Sequence, residues 1–177
     1  IEDARGNPVT FSLKTNSSNT TRIAMMNFIK TDLSKVGINV ITAPVDFNTL
    51  ITNLRSDFQY EAMLLGLHSG VPPDPTMMQN VWRSTGLTHS WFLTQVKPDT
   101  PQEARIDQLM DVILGTDEIA ERRKACKEVE TIANEMAWMT WLPVRAQKIP
   151  VSNRFGNLRP SILRHRILWN SYNLYVK

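Results

Sequence analysis

The sequence predicts an α/β fold in which helices flank a mixed, mostly parallel sheet. In the first half of the chain, short stretches that alternate apolar and polar residues are separated by stretches with helical apolar spacing. Such alternation favours parallel strands joined by right-handed crossovers. The composition, 42% hydrophobic and 21% charged over 177 residues, allows an ordinary buried core, and no run of eighteen apolar residues occurs.

The first two strands and the helix between them follow from these patterns. Residues 9–14 alternate as a strand, and residues 21–36 place apolar side chains three and four apart, as in an amphipathic helix. Gly37 is expected to end this helix, since glycine tolerates the left-handed conformation common at a helix C-terminus. A second strand is expected over residues 38–45. The predicted inward stripe of the helix is Ile23, Met26, Ile29, Leu33 and Val36.

A second helix and a third strand complete a β-α-β-α-β opening. Asp46 is placed to cap the helix, which runs to about residue 55. The helix is expected to bury four apolar residues, namely Phe47, Leu50, Ile51 and Leu54. Residues 61–67 follow as a strand, and the run Ala62-Met63-Leu64-Leu65 suits a strand covered on both faces.

The second half of the chain is more helical. Three prolines exclude regular structure over residues 70–75, and a short helix is expected around residues 76–82. Thr100-Pro101-Gln102-Glu103 is a capping box that opens a helix ending at Gly115. Another helix is expected over residues 117–136, with an inward stripe of Ile119, Cys126, Val129, Ala133 and Met136. Residues 138–144 are predicted as a strand that Pro143 breaks into an edge or a bend.

The basic residues are unevenly distributed. Residues 136–177 hold seven Lys and Arg and no acid, whereas residues 1–135 hold all seventeen acids. This asymmetry is typical of a nucleic-acid-binding or anion-binding module. It also fits a basic face that meets an acidic surface of a missing part of the same protein. We favour the second interpretation because the basic residues are spread out and no nucleic-acid-binding motif accompanies them.

The sequence offers little that supports catalysis. The three histidines, His68, His89 and His165, lack metal-ligand spacing, and neither a Gly-rich phosphate loop nor a GxSxG motif occurs. Cys126, the single cysteine, lies on an apolar stripe and is predicted to be a buried thiol. We therefore expect no metal, no cofactor and no enzymatic activity. A hydrolase that uses Ser69 beside His68 is a less favoured alternative.

Two kinds of residue are candidates for ligand contact. His68 and Ser69 follow the third strand, at a position where open α/β sheets bind ligands. Trp82 and Trp91 flank the proline-rich segment, and an indole in a loop offers a flat apolar surface for stacking. Trp138 and Trp141 lie on a predicted strand and are expected in the core.

Several short segments occur in a fixed order along residues 8–80. They are Thr15-Asn16…Asn19…Arg22, Leu33…Lys35-Val36-Gly37-Ile38, Val45-Asp46-Phe47-Asn48-Thr49-Leu50, Tyr60-Glu61-Ala62-Met63…Gly66, and Asp74-Pro75. In this order the chain resembles the C-terminal lobe of the peptide, oligopeptide and nickel (family 5) solute-binding proteins of ABC importers. Residues 100–145 fit the family's helical pair and following strand more loosely.

The resemblance implies a periplasmic-binding-protein-like lobe that closes on a small solute together with a missing N-terminal lobe of the same chain. Residues 1–145 would form the C-terminal ligand-binding lobe, and residues 146–177 would be a tail that returns toward the other lobe. The implied partners are a peptide, oligosaccharide or similar solute and the membrane permease of an ABC transporter, and not nucleic acid. The implied location is periplasmic, or extracellular as a lipoprotein.

The segment after the third strand departs from the family pattern. Peptide-binding members usually place a tryptophan after the glycine of this strand and, about three residues later, an aspartate that grips the peptide ammonium. This chain reads Gly66-Leu67-His68-Ser69-Gly70 there, and Asp74 is expected to cap the next helix. Because a buried ammonium without a carboxylate is costly, a neutral polar or stacking solute such as an oligosaccharide is the alternative. The candidate ligand-binding residues are Arg22, which suits a carboxylate, and His68, Ser69, Gly70, Trp82 and Trp91.

Overall fold

The computed structural model describes residues 1–67, 74–143, 148–161 and 169–177. Its internal contacts divide the chain into two compact units, Ile1–His68 and Ser69–Lys177, which we call the first unit and the second unit. The predicted division between residues 145 and 146 falls outside the described residues and stays a prediction.

The first unit contains the predicted β-α-β-α-β segment. Its elements are β1 (Thr10–Asn16), α1 (Thr20–Ser34), β2 (Asn39–Val45), α2 (Phe47–Arg55) and β3 (Ala62–Met63). The three strands are parallel and their order is β2-β1-β3, so β1 lies in the middle of the sheet. β1 pairs with β2 along its whole length, and with β3 at Leu13 and Lys14. The predicted parallel sheet is confirmed for this unit.

Side-chain caps begin both helices of the first unit. The Asn19 side chain accepts a hydrogen bond of 3.0 Å from the backbone N–H of Arg22 at the start of α1. Asp46 accepts one of 3.0 Å from the backbone N–H of Thr49, which confirms the predicted cap of α2. Gly37 has a φ of +79°, so the predicted left-handed glycine after α1 is also confirmed.

The core of the first unit lies between α1 and the sheet. Its buried members are Leu13, Met26, Val40 and Leu64, with Ile23, Ile29 and Leu33 packed against them. Leu50 and Leu54 of α2 are buried as predicted.

Two residues that the helical stripes placed inside are exposed. Val36 is 53% exposed because α1 ends at Ser34, and the chain has turned before Val36 is reached. Phe47 is 51% exposed at the first position of α2. Helical side chains tilt toward the N-terminus, so a side chain at the first position points past the end of the helix and away from the core beneath it.

The third strand is shorter than the predicted residues 61–67. The backbone N–H of Leu64 still donates to Lys14, but the Leu64 carbonyl accepts from the hydroxyl of Thr15 at 2.9 Å. A side chain has replaced the next ladder bond, and the regular pairing ends at Met63. The predicted burial of this run holds in part, because Leu64 is buried while Ala62 and Leu65 are half-buried.

The second unit is built around two helices. Its elements are α3 (Gln79–Trp82), α4 (Pro101–Gly115), α5 (Ile119–Met136), β4 (Phe155–Gly156) and β5 (Tyr175–Val176). A 3-10 turn, Pro75–Met78, precedes α3 and with it forms the predicted short helix. The capping box is confirmed, since Thr100 and Glu103 each bond the other's backbone N–H at the start of α4.

α4 packs against α5 through a continuous apolar core. Its buried members are Ile106, Leu109, Met110, Ile113, Ala125 and Val129. Cys126 is half-buried against this core, and the loss of solvent raises the pKa of its thiol. Ile119 is 65% exposed, contrary to the predicted stripe, because it occupies the first position of α5, as Phe47 does in α2.

The predicted strand over residues 138–144 is wrong in its described part. Ala137 ends α5 in the left-handed conformation, with a φ of +49°, and residues 138–143 then pair with no strand in the described part of the chain. Without a partner that accepts its ladder bonds, an extended segment is not a strand. Farther along the chain, β4 and β5 form an antiparallel pair. Across the described residues, no helix combines the length and the apolar character needed to cross a membrane.

Candidate functional site

The first unit has a switch in strand order at the carboxyl edge of its sheet. The chain leaves β1 for β2 on one side, and then returns past β1 to β3 on the other side. In open parallel sheets, ligands bind in the crevice that such a reversal opens beyond the carboxyl ends of the strands. In this unit that position corresponds to the end of β1, at Asn16, and the residues that directly follow β3.

Arg22 lies at this reversal. Its Nη1 donates a hydrogen bond of 2.7 Å to Oδ1 of Asn16, the last residue of β1, which is buried. Its Nη2 lies beside Gly66, where an added Cβ would stand 2.7 Å from the nitrogen. The half-buried guanidinium therefore reaches from the end of β1 to the segment after β3.

The surroundings of Arg22 carry no compensating acid in the described residues. No carboxylate within the described ranges forms an ion pair with it, and the first turn of α1 contains no acidic residue. The partner that is present, Asn16, is neutral. A guanidinium has five N–H donors, so a single neutral acceptor leaves most of its donor capacity for other groups.

The candidates that follow β3 in the sequence, His68, Ser69 and Gly70, lie outside the described residues. Their assignment to ligand contact stays a prediction. Asn16 bonds Arg22 and Gly66 makes room for it, and in the sequence both residues stand out only as parts of the family pattern. No local signal in the sequence shows that they meet the same side chain, because they are fifty residues apart.

The second unit contains a group of four tryptophans, Trp82, Trp91, Trp138 and Trp141, which we call the tryptophan cluster. Trp91 stacks on Trp138 with ring centroids 5.1 Å apart and an interplanar angle of 4°. Trp82 lies 6.0 Å from Trp91 and 6.1 Å from Trp141, tilted by 51° to each. The structure thus brings together the two predicted contact residues, Trp82 and Trp91, and adds two more rings.

The four rings differ in solvent exposure. Trp82 and Trp138 pack against the α4–α5 core, as expected for Trp138. Trp141 is 54% exposed, so the prediction that it lies in the core is wrong. Its predicted burial rested on a strand that is not formed. Trp141 is the ring of the cluster with the most surface available for stacking.

A buried carboxylate holds the inner edge of the cluster. Glu103 is 3% exposed, and its Oε1 accepts from Trp91 Nε1 at 3.1 Å and lies 3.3 Å from His89 Nε2. Its Oε2 accepts from the Gln95 side chain at 3.0 Å and from the backbone N–H groups of Asp99 and Thr100. Burial raises the pKa of Glu103, but these hydrogen bonds outweigh it and lower the pKa to about 2.

His89 is fully buried between two acceptors. Its Nδ1 lies 3.0 Å from the carbonyl of Val81, and its Nε2 faces the Glu103 carboxylate. Ser90, the adjacent serine, donates to the carbonyl of Thr88. His89 therefore supports Trp91 and Glu103 rather than forming a nucleophile pair with Ser90.

Asp74 bonds two groups of the second unit, and its side chain stays 40% exposed. It accepts from the backbone N–H of Thr76 at 2.9 Å, which confirms the predicted cap, and from Arg122 Nη2 at 2.8 and 3.1 Å. The hydrogen bonds from Thr76, with a smaller contribution from Arg122, hold the pKa of this carboxyl below its usual range. Among the described residues, no cluster of three or more His, Cys, Asp and Glu side chains is arranged to hold a metal ion.

The chain is similar to part of several known proteins, although no protein-family model matches it. The oligopeptide-binding protein AppA of Bacillus subtilis is 27% identical over 142 residues, which are 77% of this chain and 23% of AppA. The structure of AppA in complex with a nonapeptide matches with a TM-score of 0.58 and 18% identity, covering 99% of this chain and 35% of that one. The chain thus spans well under half of the length of this relative.

Two further structures share the fold. NikA from Brucella suis, in complex with Fe(III)-EDTA, matches with a TM-score of 0.60 and 19% identity over 76% of this chain and 26% of its own. A periplasmic oligopeptide-binding protein from Thermotoga maritima, bound to mannohexaose, matches with a TM-score of 0.59 and 19% identity over 76% of this chain and 25% of its own. The predicted fold class, a periplasmic-binding-protein-like α/β lobe with a sheet flanked by helices, is confirmed.

Proposed function

We propose that this chain, which is a portion of a peptide- and nickel-type (family 5) extracytoplasmic solute-binding protein, is the lobe that captures a small solute for an ABC importer. The sequence similarity to an oligopeptide-binding protein and the shared fold support this proposal. Solute sites combine apolar surface with a few oriented polar groups. In the first unit, Arg22 is such an oriented polar group.

The observation that carries the proposal is the position of Arg22. Its side chain lies at the strand-order reversal of a parallel sheet, between Asn16 and Gly66, where ligands bind in this class of fold. His68, Ser69 and Gly70 follow β3 in the sequence and are proposed as further contacts. Trp82 and Trp91 are proposed to contribute through the cluster to which they belong.

The proposed solute is a peptide, an oligosaccharide or a similar small molecule. Proteins of this fold have been solved with a nonapeptide, with Fe(III)-EDTA and with mannohexaose. In this chain the Asp74 carboxylate caps Thr76 and is paired with the guanidinium of Arg122, so its charge is already balanced within the second unit. A solute held by stacking and by contacts to other groups fits the described residues better than one gripped by its ammonium.

The rest of the proposal concerns the whole protein. We propose that residues 1–145 act as one ligand-binding lobe and that residues 146–177 return toward a second lobe, which completes the site. The partner of the complete protein is the permease of an ABC transporter, and the location is the periplasm or the outer cell surface. The similar proteins are substrate-binding proteins, and we propose that this one likewise binds its solute without turnover.

Native mass spectrometry on the full-length protein, purified gently from its own periplasm or culture medium, tests this function. We expect a retained small molecule, a peptide or an oligosaccharide, that leaves the protein chemically unchanged on denaturation. A preparation denatured and refolded before measurement is the control, and it should lack the extra mass. The proposal is wrong if no solute is retained and if mixed peptides and oligosaccharides do not raise the melting temperature.

A further inference from the structure

We propose that Arg22 binds a carboxylate of the solute, so that the solute of this lobe carries at least one negative charge. This inference rests on the proposed function, because it names the chemical class that the same edge of the sheet would recognise. It goes further in choosing an anionic solute over a neutral one. The following observations concern the first unit alone.

The first observation is the mismatch between the charge of Arg22 and its surroundings. The side chain is half-buried, and the described residues supply it with one hydrogen bond, to the neutral Oδ1 of Asn16. A cation that is partly removed from water is stabilised by an opposite charge or by several acceptors. Within the described part of the chain neither is present, so a negative group of the solute would complete the set of partners.

The second observation is the way the guanidinium is held. Asn16 is buried at the end of β1, the central strand, and its Oδ1 accepts a hydrogen bond of 2.7 Å from Nη1 of Arg22. Asn16 also donates through its Nδ2 to the hydroxyl of Ser18 at 3.2 Å, which fixes the orientation of the amide so that its oxygen faces Arg22. An oriented guanidinium presents parallel N–H groups to a carboxylate, the geometry that favours arginine over lysine for this anion.

The third observation is the glycine beside Nη2. At Gly66 any Cβ would stand 2.7 Å from this nitrogen, so every other residue would displace the guanidinium. Gly66 has no positive φ that would require a glycine for backbone reasons. The structure therefore shows one reason for a glycine at position 66, which is to leave space for the Arg22 side chain.

A carboxylate fits better than a doubly charged anion such as phosphate. Lys14, two residues before Asn16 on β1, is bonded to Asn53 Oδ1 at 2.9 Å and to the carbonyl of Gln59. One guanidinium then balances one negative charge. The carboxylate can belong to the C-terminus of a peptide or to an acidic sugar, and the experiment below separates these sources.

The test uses the full-length protein, freed of retained solute by denaturation and refolding, and four probes. The probes are a mixed pentapeptide library with free C-termini, the same library with C-terminal amides, a mixture of oligogalacturonides, and mannohexaose. We expect one acidic probe to bind about tenfold more tightly or better than its neutral counterpart, as measured by isothermal titration calorimetry. Preference for the free-terminus library identifies a peptide carboxylate, and preference for oligogalacturonides identifies an acidic sugar.

Three variants connect the preference to Arg22. Arg22→Gln should abolish the preference for the acidic probe, because the glutamine side chain carries no positive charge. Gly66→Ala keeps the charge but displaces the guanidinium, and it should also weaken binding of the acidic probe. Lys30→Gln removes an exposed charge from the same helix, α1, and should leave the preference intact. Circular dichroism checks that all three variants fold.

The outcomes separate this inference from the function on which it rests. If a neutral probe binds as tightly as its acidic counterpart, or if Arg22→Gln leaves the preference unchanged, the inference is wrong and the solute-binding function stands. If none of the four probes binds, both the function and the inference are contradicted.

Discussion

Trp91 donates its indole N–H to the buried carboxylate of Glu103 at 3.1 Å, and this bond ties the stacked pair of Trp91 and Trp138 to the start of α4. The same carboxylate completes the capping box of that helix. One side chain therefore begins a helix, accepts from an aromatic ring and faces the buried His89. The helix cap, the bond to Trp91 and the contact with His89 all meet at the carboxylate of Glu103.

The stability of the second unit should fall in acid as Glu103 becomes protonated. Its pKa is lowered in the folded state to about 2 from an ordinary value of 4.5. A lowered pKa stabilises the fold above the unfolded value, and this contribution is lost as the pH falls from about 4.5 to about 2. The difference corresponds to at most about 3 kcal/mol of unfolding free energy, measurable by urea titrations at successive pH values.

Glu103→Gln provides the control for this pH dependence, because other carboxylates also titrate in the same range. The variant should be less stable at neutral pH by about 2 kcal/mol, since an amide cannot accept from all the donors that face the carboxylate. It should also lose part of the acid dependence. An unchanged slope of stability against pH in this variant would mean that Glu103 does not supply the effect.

The exposed and packed rings of the tryptophan cluster should respond differently to truncation. Trp141→Ala removes a ring that is 54% exposed and should change the unfolding free energy by about 0.5 kcal/mol or less. Trp138→Ala removes a ring that stacks on Trp91 and packs against the α4–α5 core, and it should cost about 3 kcal/mol. Urea unfolding followed by circular dichroism measures both. Equal losses would show that Trp141 is packed in solution.

Asp74 should matter for stability and not for solute capture. Asp74→Ala removes the cap at Thr76 and the ion pair with Arg122, whereas Asp74→Asn keeps a side chain that can cap and loses the charge. We therefore expect the alanine variant to melt at a lower temperature than the asparagine variant, which in turn melts below the wild type. Both should retain the mass found on the wild-type protein by native mass spectrometry. Loss of that mass in the folded asparagine variant would assign Asp74 to the solute.

Two glycines should respond to alanine with opposite signs. Gly37 has a φ of +79°, so Gly37→Ala forces a side chain into the left-handed region and should cost about 1–2 kcal/mol. Gly115 ends α4 with no atom within 4 Å of an added Cβ, and Gly115→Ala should stabilise the fold by about 0.5–1 kcal/mol. Urea unfolding of both variants decides the matter. Destabilisation by both substitutions would contradict the account of Gly115.

Local sequence signals predict the helix boundaries well because the interactions that set them are themselves local. Asp46, Thr100 and Gly37 each act on residues within four positions along the chain, so spacing alone identifies their roles. The same locality explains the errors at helix starts. Phe47 and Ile119 fit an inward stripe by their spacing. Spacing carries no information on the helix end, past which a side chain at the first position points.

Features that depend on distant partners were not predictable from the sequence. The third strand ends early because the Thr15 hydroxyl donates a hydrogen bond to the Leu64 carbonyl, and these residues lie 49 positions apart. Glu103 was identified as a capping residue, yet its bond to Trp91 depends on a loop of irregular conformation. Likewise, residues 138–143 have a strand-like composition but no partner in the described chain, and a strand exists only through its pairing.

The central position of β1 affects how strongly a solute can be held. Because β1 is paired with β2 along its whole length, Asn16 at its end is held in register opposite Val45, and its side chain orients Arg22 before any solute arrives. Ordering a long, flexible side chain on binding usually subtracts about 0.5–1.5 kcal/mol from affinity. Here that entropy has already been lost in the folded first unit, so a contact to this pre-organised guanidinium contributes more of its strength to affinity.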